Sequence, residues 1–270
     1  MNIMVIGCGY WGSKLLNRFE TILGDWHVTA CDIRYADPHY SSRFAVCADY
    51  KLAIWDAPLD AVAIATPIET HYQIVRDCLE AGKHVLVEKP LSTRSDTARE
   101  LVGLAMRKQR VLSTDLTFLF DERLERATGD IRSLLWTGPG SDRSDSNVLW
   151  TWGPHPMSIL VSRYGMPTNV YPIKCERDEL SCIYAFSHKW VFLHMKRHPD
   201  EQRRRDILFT GGILALSDPP ASEPLMQVCR QFVSDVDGNN FENTNLVLSA
   251  QVVEALEWTE LAARAEQSGL

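Results

Sequence analysis

Asn2-Ile3-Met4-Val5-Ile6-Gly7-Cys8-Gly9-Tyr10-Trp11-Gly12 is the stretch that decides how the chain begins to fold. A short apolar run leads into G-x-G-x-x-G, and residues 14–21 then set Leu15, Leu16 and Phe19 at the three-to-four spacing of an amphipathic helix. Strand, glycine turn and helix in that order are the setting in which this pattern binds a dinucleotide. Gly7 permits the tight turn, Gly9 lets backbone approach a pyrophosphate, and Gly12 allows helix and strand to pack closely. The helix N-terminus, with Tyr10 and Trp11 between the glycines, offers N–H groups to phosphate charge. All five residues are candidate cofactor contacts.

Moving outward, residues 28–32 read as a second strand. Asp32 stands at its end, about 20 residues beyond Gly12, where a carboxylate accepts hydrogen bonds from the adenosine ribose. This position favours NAD. A competing reading has Arg34 pairing with the 2′-phosphate of NADP while Asp32 turns aside; it is disfavoured because a carboxylate repels phosphate. Strand-like runs at 44–47, 61–66, 85–88 and 111–114 continue the alternation. A helix over 71–81 buries Ile74, Val75 and Leu79, and another follows Ser92, capped by Ser95 or Thr93. This is the rhythm of βα units around a parallel sheet.

Beyond residue 118 the rhythm changes. A short helix at 122–127 and a strand at 131–136 lead to the turn-rich Gly138-Pro139-Gly140-Ser141. A helix over 152–164, antiparallel-looking strands at 169–175, 180–186, 191–196, 206–209 and 213–216, and two helices at 224–236 and 243–265 complete the chain. The expectation is an α/β protein of two domains. Residues 1–118 form a Rossmann dinucleotide-binding domain, and residues 119–270 an α+β domain with an open, mainly antiparallel sheet. Along 180–186, Cys182, Tyr184 and Phe186 share one face and Ile183 and Ala185 the other, so both faces are apolar and one needs a second sheet. A homodimer or homotetramer follows.

The 270 residues suffice for two modest cores. A net charge of -7 argues against nucleic acid as partner, since phosphate neutralisation needs clustered positive charge. No apolar run reaches membrane-spanning length and the first residues lack a leader pattern, which predicts a cytoplasmic protein with no membrane partner. The seven cysteines contain no C-x-x-C pair, and His188, His194 and His198 have no cysteine or acid at metal spacing, so no metal is expected. Lys196, Arg197, Arg203, Arg204 and Arg205 form a basic run whose ordinary reading is a solvated hairpin and whose sharper one is a partner for substrate phosphate. Trp150 and Trp152 are candidates for stacking on a sugar or nicotinamide ring, or for the core.

Three stretches taken together resemble the glucose-fructose oxidoreductase and inositol dehydrogenase (Gfo/Idh/MocA) family. They are Gly7 to Gly12, Ala65-Thr66-Pro67 with His71 four residues on, and Ala81-Gly82-Lys83-His84-Val85-Leu86-Val87-Glu88-Lys89-Pro90. Leu149-Trp150-Thr151-Trp152-Gly153-Pro154-His155 further resembles the branch acting at the 3-position of nucleotide-linked sugars. The resemblance implies that Lys89 reaches the reacting oxygen of a substrate and that His155 converges on it from the second domain. It also adds Thr66, Pro67, His71 and Glu88 to the cofactor-binding set, with His71 as a further assistant in proton exchange. The family places an aspartate four residues before the histidine, where this chain has Thr151, and Pro156 stands where the branch often has another.

The expected activity is hydride transfer between nicotinamide and a secondary alcohol or ketone of a sugar, polyol or nucleotide-linked sugar. Partially shielded from water, a lysine loses its proton more readily and can exchange it near neutral pH. A threonine cannot stabilise an imidazolium by charge, so Thr151 motivates an alternative: a dinucleotide-binding protein with little turnover, acting as a sensor or partner subunit.

Overall fold

The computed structural model describes residues 1–37, 39, 42–56, 58–140, 147–218, 220 and 222–268. Ser141, the end of the turn-rich loop, lies outside the described residues. In chain order the first elements are β1 (Ile3–Ile6), α1 (Tyr10–Leu23), β2 (Val28–Cys31), β3 (Ala45–Cys47), α2 (Tyr50–Asp56), β4 (Ala61–Ile64), α3 (His71–Glu80), β5 (His84–Glu88), α4 (Ser95–Lys108) and β6 (Leu112–Asp115). There follow α5 (Glu122–Arg126), β7 (Ile131–Gly138), α6 (Val148–Thr151), α7 (Pro154–Tyr164), β8 (Asn169–Cys175), β9 (Glu179–Phe186), β10 (Lys189–Arg197), β11 (Arg204–Phe209), β12 (Gly212–Ala215), α8 (Pro224–Asp237) and α9 (Thr244–Ser268).

One compact unit comprises residues 1–115 and 225–250, the other 116–224 and 251–270. The first therefore takes in a segment from late in the chain, beyond the contiguous stretch 1–118. Its sheet is parallel in the order β3-β2-β1-β4-β5-β6, the order that places a dinucleotide crevice where β1 and β4 diverge. Every residue of β1 and β4 is buried, because helices cover both faces of a parallel sheet. Helix α1 buries Leu15, Leu16 and Phe19, and Phe19 meets Phe232 of α8 edge-on at 6.3 Å.

Two local expectations need correction. The N-cap of α4 is Arg94, which makes no side-chain capping bond, and Ser95 is already helical. The hydroxyl of Ser92 instead accepts from Arg94 N at 3.1 Å, turning the chain before the helix begins. Helix α2 was not expected at all: only Ile54 of its apolar residues is fully buried, so it carries little periodic signal.

The second unit is built on a sheet in the order β12-β11-β7-β10-β9-β8. Only β7 and β10 run parallel; every other neighbour pair is antiparallel. One face buries Leu134, Trp136, Tyr184, Leu193, Ile207 and Phe209. On the other, register aligns Tyr171, Ile183, Phe192, Ser133, Leu208 and Ile213 in a row across all six strands. The helix expected over 152–164 is α7, which begins two residues later at Pro154, and a further short helix, α6, precedes it. They part at Trp152 and Gly153 because Pro154 has no N–H to continue the ladder and instead begins α7.

Candidate active site

The glycine turn joins β1 to α1 with the geometry its residues allow. Gly7 has φ +86°, and a Cβ there would lie 2.7 Å from Ala65 O; one on Gly12 would lie 1.8 Å from Gly7 O. At Gly9, by contrast, nothing stands within 4 Å of where a Cβ would be. Gly9 is also the N-cap of α1, with no side-chain cap and no acidic residue in the first turn. Open space beside an uncapped, uncompensated helix start suits a pyrophosphate, so the turn fits a dinucleotide. Tyr10 and Trp11 are exposed there, and Lys14 Nζ lies 4.2 and 4.3 Å from their ring centroids.

Asp32, just past β2, is held by four donors. Oδ2 accepts from Cys8 N and Arg34 Nη2, each at 2.8 Å, while Oδ1 accepts from Arg34 N at 3.0 Å and Arg34 Nε at 2.9 Å. Hydrogen bonds from the Arg34 side chain hold the carboxyl down at about 2. These contacts fill the acceptor positions of a carboxylate, so a ribose taken up at Asp32 must displace the Arg34 side chain.

The ends of β4 and β5 are tied together by His71. Its Nδ1 lies 2.8 Å from Pro90 O and its Nε2 3.0 Å from Thr66 O. The ring is 1% exposed, and burial pushes its pKa down. A neutral ring donates to only one of these carbonyls. Thr70 Oγ1, in turn, lies 2.7 Å from Thr66 Oγ1 and 2.6 Å from Pro67 O. Lys89 is half-buried, and the Lys89–Pro90 peptide is cis.

Glu88 ends β5 directly opposite Asp115 on β6, and both are buried. Burial first, then the charge of Asp115, push the Glu88 carboxyl well above the usual range. Two adjacent buried carboxyls cannot both ionise cheaply, so the pair keeps a proton. Sequence reading missed Asp115. The available signal was a carboxylate closing an otherwise buried strand.

In the second unit, His155 occupies the first turn of α7. Its ring meets Phe118 edge-on at 4.8 Å, and Phe118 meets Trp136 in the same manner at 5.3 Å. Thr151 Oγ1 donates to Asn147 O at 3.0 Å, back into its own helix. Trp150 is 7% exposed with Nε1 3.4 Å from Glu260 Oε1, a core position rather than a stacking platform. Within the basic run, Lys196 pairs with Glu201, Arg197 with Asp178 and Arg204 with Asp206.

Comparison with known proteins agrees with this arrangement. Residues 1–116 match the GFO_IDH_MocA model, described as an oxidoreductase family with an NAD-binding Rossmann fold. The dTDP-3,4-didehydro-2,6-dideoxy-alpha-D-glucose 3-reductase of Saccharopolyspora spinosa is 34% identical over 206 residues, 70% of this chain and 60% of that protein. Inositol 2-dehydrogenase 2 of Saccharopolyspora erythraea is 37% identical over 119 residues, 42% of this chain and 34% of that one. The chain thus spans less than two thirds of these relatives. In fold, it superposes on the UDP-N-acetylglucosamine 3-dehydrogenase GnnA of Acidithiobacillus ferrooxidans with a TM-score of 0.82 at 21% identity, over 98% of both chains. Residues 1–116 thus match the Gfo/Idh/MocA oxidoreductase family model, which describes an NAD-binding Rossmann fold.

Proposed function

We propose that this chain is an NAD(H)-dependent oxidoreductase interconverting a secondary alcohol and a ketone on a sugar, polyol or nucleotide-linked sugar. The observation that carries the reading is the open space at Gly9 beside the uncapped start of α1, with Asp32, just past the neighbouring strand, fixed by Cys8 N of the same turn. Bound NAD supplies the hydride chemistry. Gly7, Gly9 and Gly12 with the α1 N-terminus hold the pyrophosphate, with Tyr10 and Trp11 beside it, and Asp32 holds the ribose in preference to a 2′-phosphate. Thr66, Pro67 and Glu88 line the strand ends, and His71 acts through the two turns it joins. Lys89 exchanges a proton with the reacting oxygen, assisted by His155. On this reading residues 1–118 carry the cofactor and 119–270 the substrate.

The test is NADH consumption with a panel of keto sugars, alongside NADH binding by fluorescence. Binding without turnover on any of them favours the second reading, a dinucleotide-binding sensor or partner subunit. What supports that alternative is Thr151, a neutral side chain that cannot stabilise an imidazolium by charge.

Self-association is part of the proposal. Ile173, Trp190 and Ile213 are 61%, 62% and 70% exposed on the outward face of the second sheet, a patch that a second copy would cover. The cytoplasm is the proposed location, supported by seven free cysteines. Among the described residues no helix is long and apolar enough to cross a membrane.

A further inference from the structure

Strand β11 buries Ile207 and Phe209 and exposes Leu208, so alternation places Arg205 on the covered face of the sheet. Register sets it opposite Trp136. The guanidinium carbon lies 5.5 Å from the Phe118 ring centroid, and that ring also meets Trp136 and His155. While its neighbours Lys196, Arg197 and Arg204 pair with acids, Arg205 has no carboxylate partner among the described residues, and its Nε–H is buried without an acceptor. Trp136, 1% exposed, likewise has a buried Nε1–H with no acceptor among the described residues.

Burial and the charge of Arg203 push Arg205 down to about 10, which still leaves it cationic at neutral pH. A half-buried cation and two N–H donors lacking acceptors are costly to fold. The deficit is specific: what is missing is negative charge and lone pairs.

We propose that Arg205 and Trp136, with Phe118 and His155 around them, form a subsite for an anionic, oxygen-rich group of the substrate, a phosphate or a carboxylate. This deepens the assignment of substrate binding to the second unit and rests on it. Arg205 supplies charge-assisted donors in a planar fork, Trp136 a neutral donor, and Phe118 a surface that holds the guanidinium in place.

Calorimetric titration of the full chain saturated with NADH tests this. Saturation keeps the dinucleotide crevice from competing. The probes are uridine diphosphate, glucuronate and neutral myo-inositol; the first two separate a phosphate source from a carboxylate source. We expect at least one anion to bind, Arg205→Met to weaken it about tenfold or more, and Arg205→Lys to weaken it less. The Tm of unliganded Arg205→Met should equal or exceed that of wild type, because an uncompensated buried charge has been removed. No saturable anion binding to wild type, or equal anion affinity in wild type and Arg205→Met, overturns the subsite. A Tm that falls in both variants with anion affinity unchanged makes Arg205 structural and also overturns it. Turnover of neutral polyols without any anion effect leaves the oxidoreductase reading standing while the subsite fails. Arg205-dependent anion binding without turnover of any keto sugar does the reverse.

Discussion

Lys89 sits half-buried at the end of β5, one residue beyond a carboxyl that keeps its proton, and the proposed proton exchange depends on its amine. Lys89→Met retains bulk and leaves the pyrophosphate and ribose contacts untouched. Single-turnover measurement should show a loss in kcat of about 100-fold or more with NADH affinity nearly unchanged. His155→Asn should cost less, since Thr151 offers the imidazole no charge; a dead His155→Asn beside an active Lys89→Met reverses the two roles. Asp32 makes a separate prediction through its depressed carboxyl. A group whose folded pKa lies below its unfolded value stabilises the fold above the unfolded pKa and loses that effect as pH falls through the folded one. Asp32→Asn should therefore lower Tm at neutral pH, and the gap should close between about pH 4 and the folded value of about 2. The same substitution should erode a preference for NAD over NADP of about tenfold in kcat/KM.

Where whole elements meet, β6 illustrates how the last strand of a sheet is finished. Asn245 of α9 accepts from Thr114 N at 2.8 Å and donates to Thr114 O at 2.9 Å, as a further strand would. Asn245→Ala should cost about 2 kcal/mol in denaturant unfolding, the worth of two backbone hydrogen bonds left open. Across the neighbouring β5–β6 pairing, the raised carboxyl of Glu88 has the opposite linkage to Asp32. Folding keeps a proton that the unfolded chain releases above about pH 4.3, so wild type loses stability as pH rises past that value. Glu88→Gln carries no such loss. Its Tm relative to wild type should climb from pH 4 to pH 8, and a constant difference would show that Glu88 is ionised in the fold.

At the scale of the molecule, the outward face of the second sheet sets the prediction. Tyr171 and Trp190 stack at 5.3 Å with 19° between their planes, and Phe192 is 38% exposed beside them. Light scattering at micromolar concentration should find a dimer or tetramer, and Trp190→Glu with Phe192→Glu should convert it to monomer. A monomeric wild type would leave that face without the second sheet the proposal requires.

Much of this protein was legible in its sequence because the decisive forces are local. Gly7 and Gly12 are dictated by steric contacts a few ångströms away, and the buried faces of α1, α3 and β9 follow from helical and strand periodicity. Dinucleotide binding by residues 1–116 was readable for the same reason, since one turn and one helix start supply the phosphate cradle. Other features depend on residues distant in the chain. Glu88 faces Asp115, Trp136 faces Arg205, Asn245 caps Thr114 and Phe232 returns to Phe19 only because strand register and helix packing put them there. Register is set by the fit of the entire sheet against its helices, and no local period encodes it. The sequence by itself thus determined the Rossmann half and its candidate contacts. Only the tertiary structure decided which charges are paired, which carboxyl keeps a proton, and which arginine has no acid partner among the described residues.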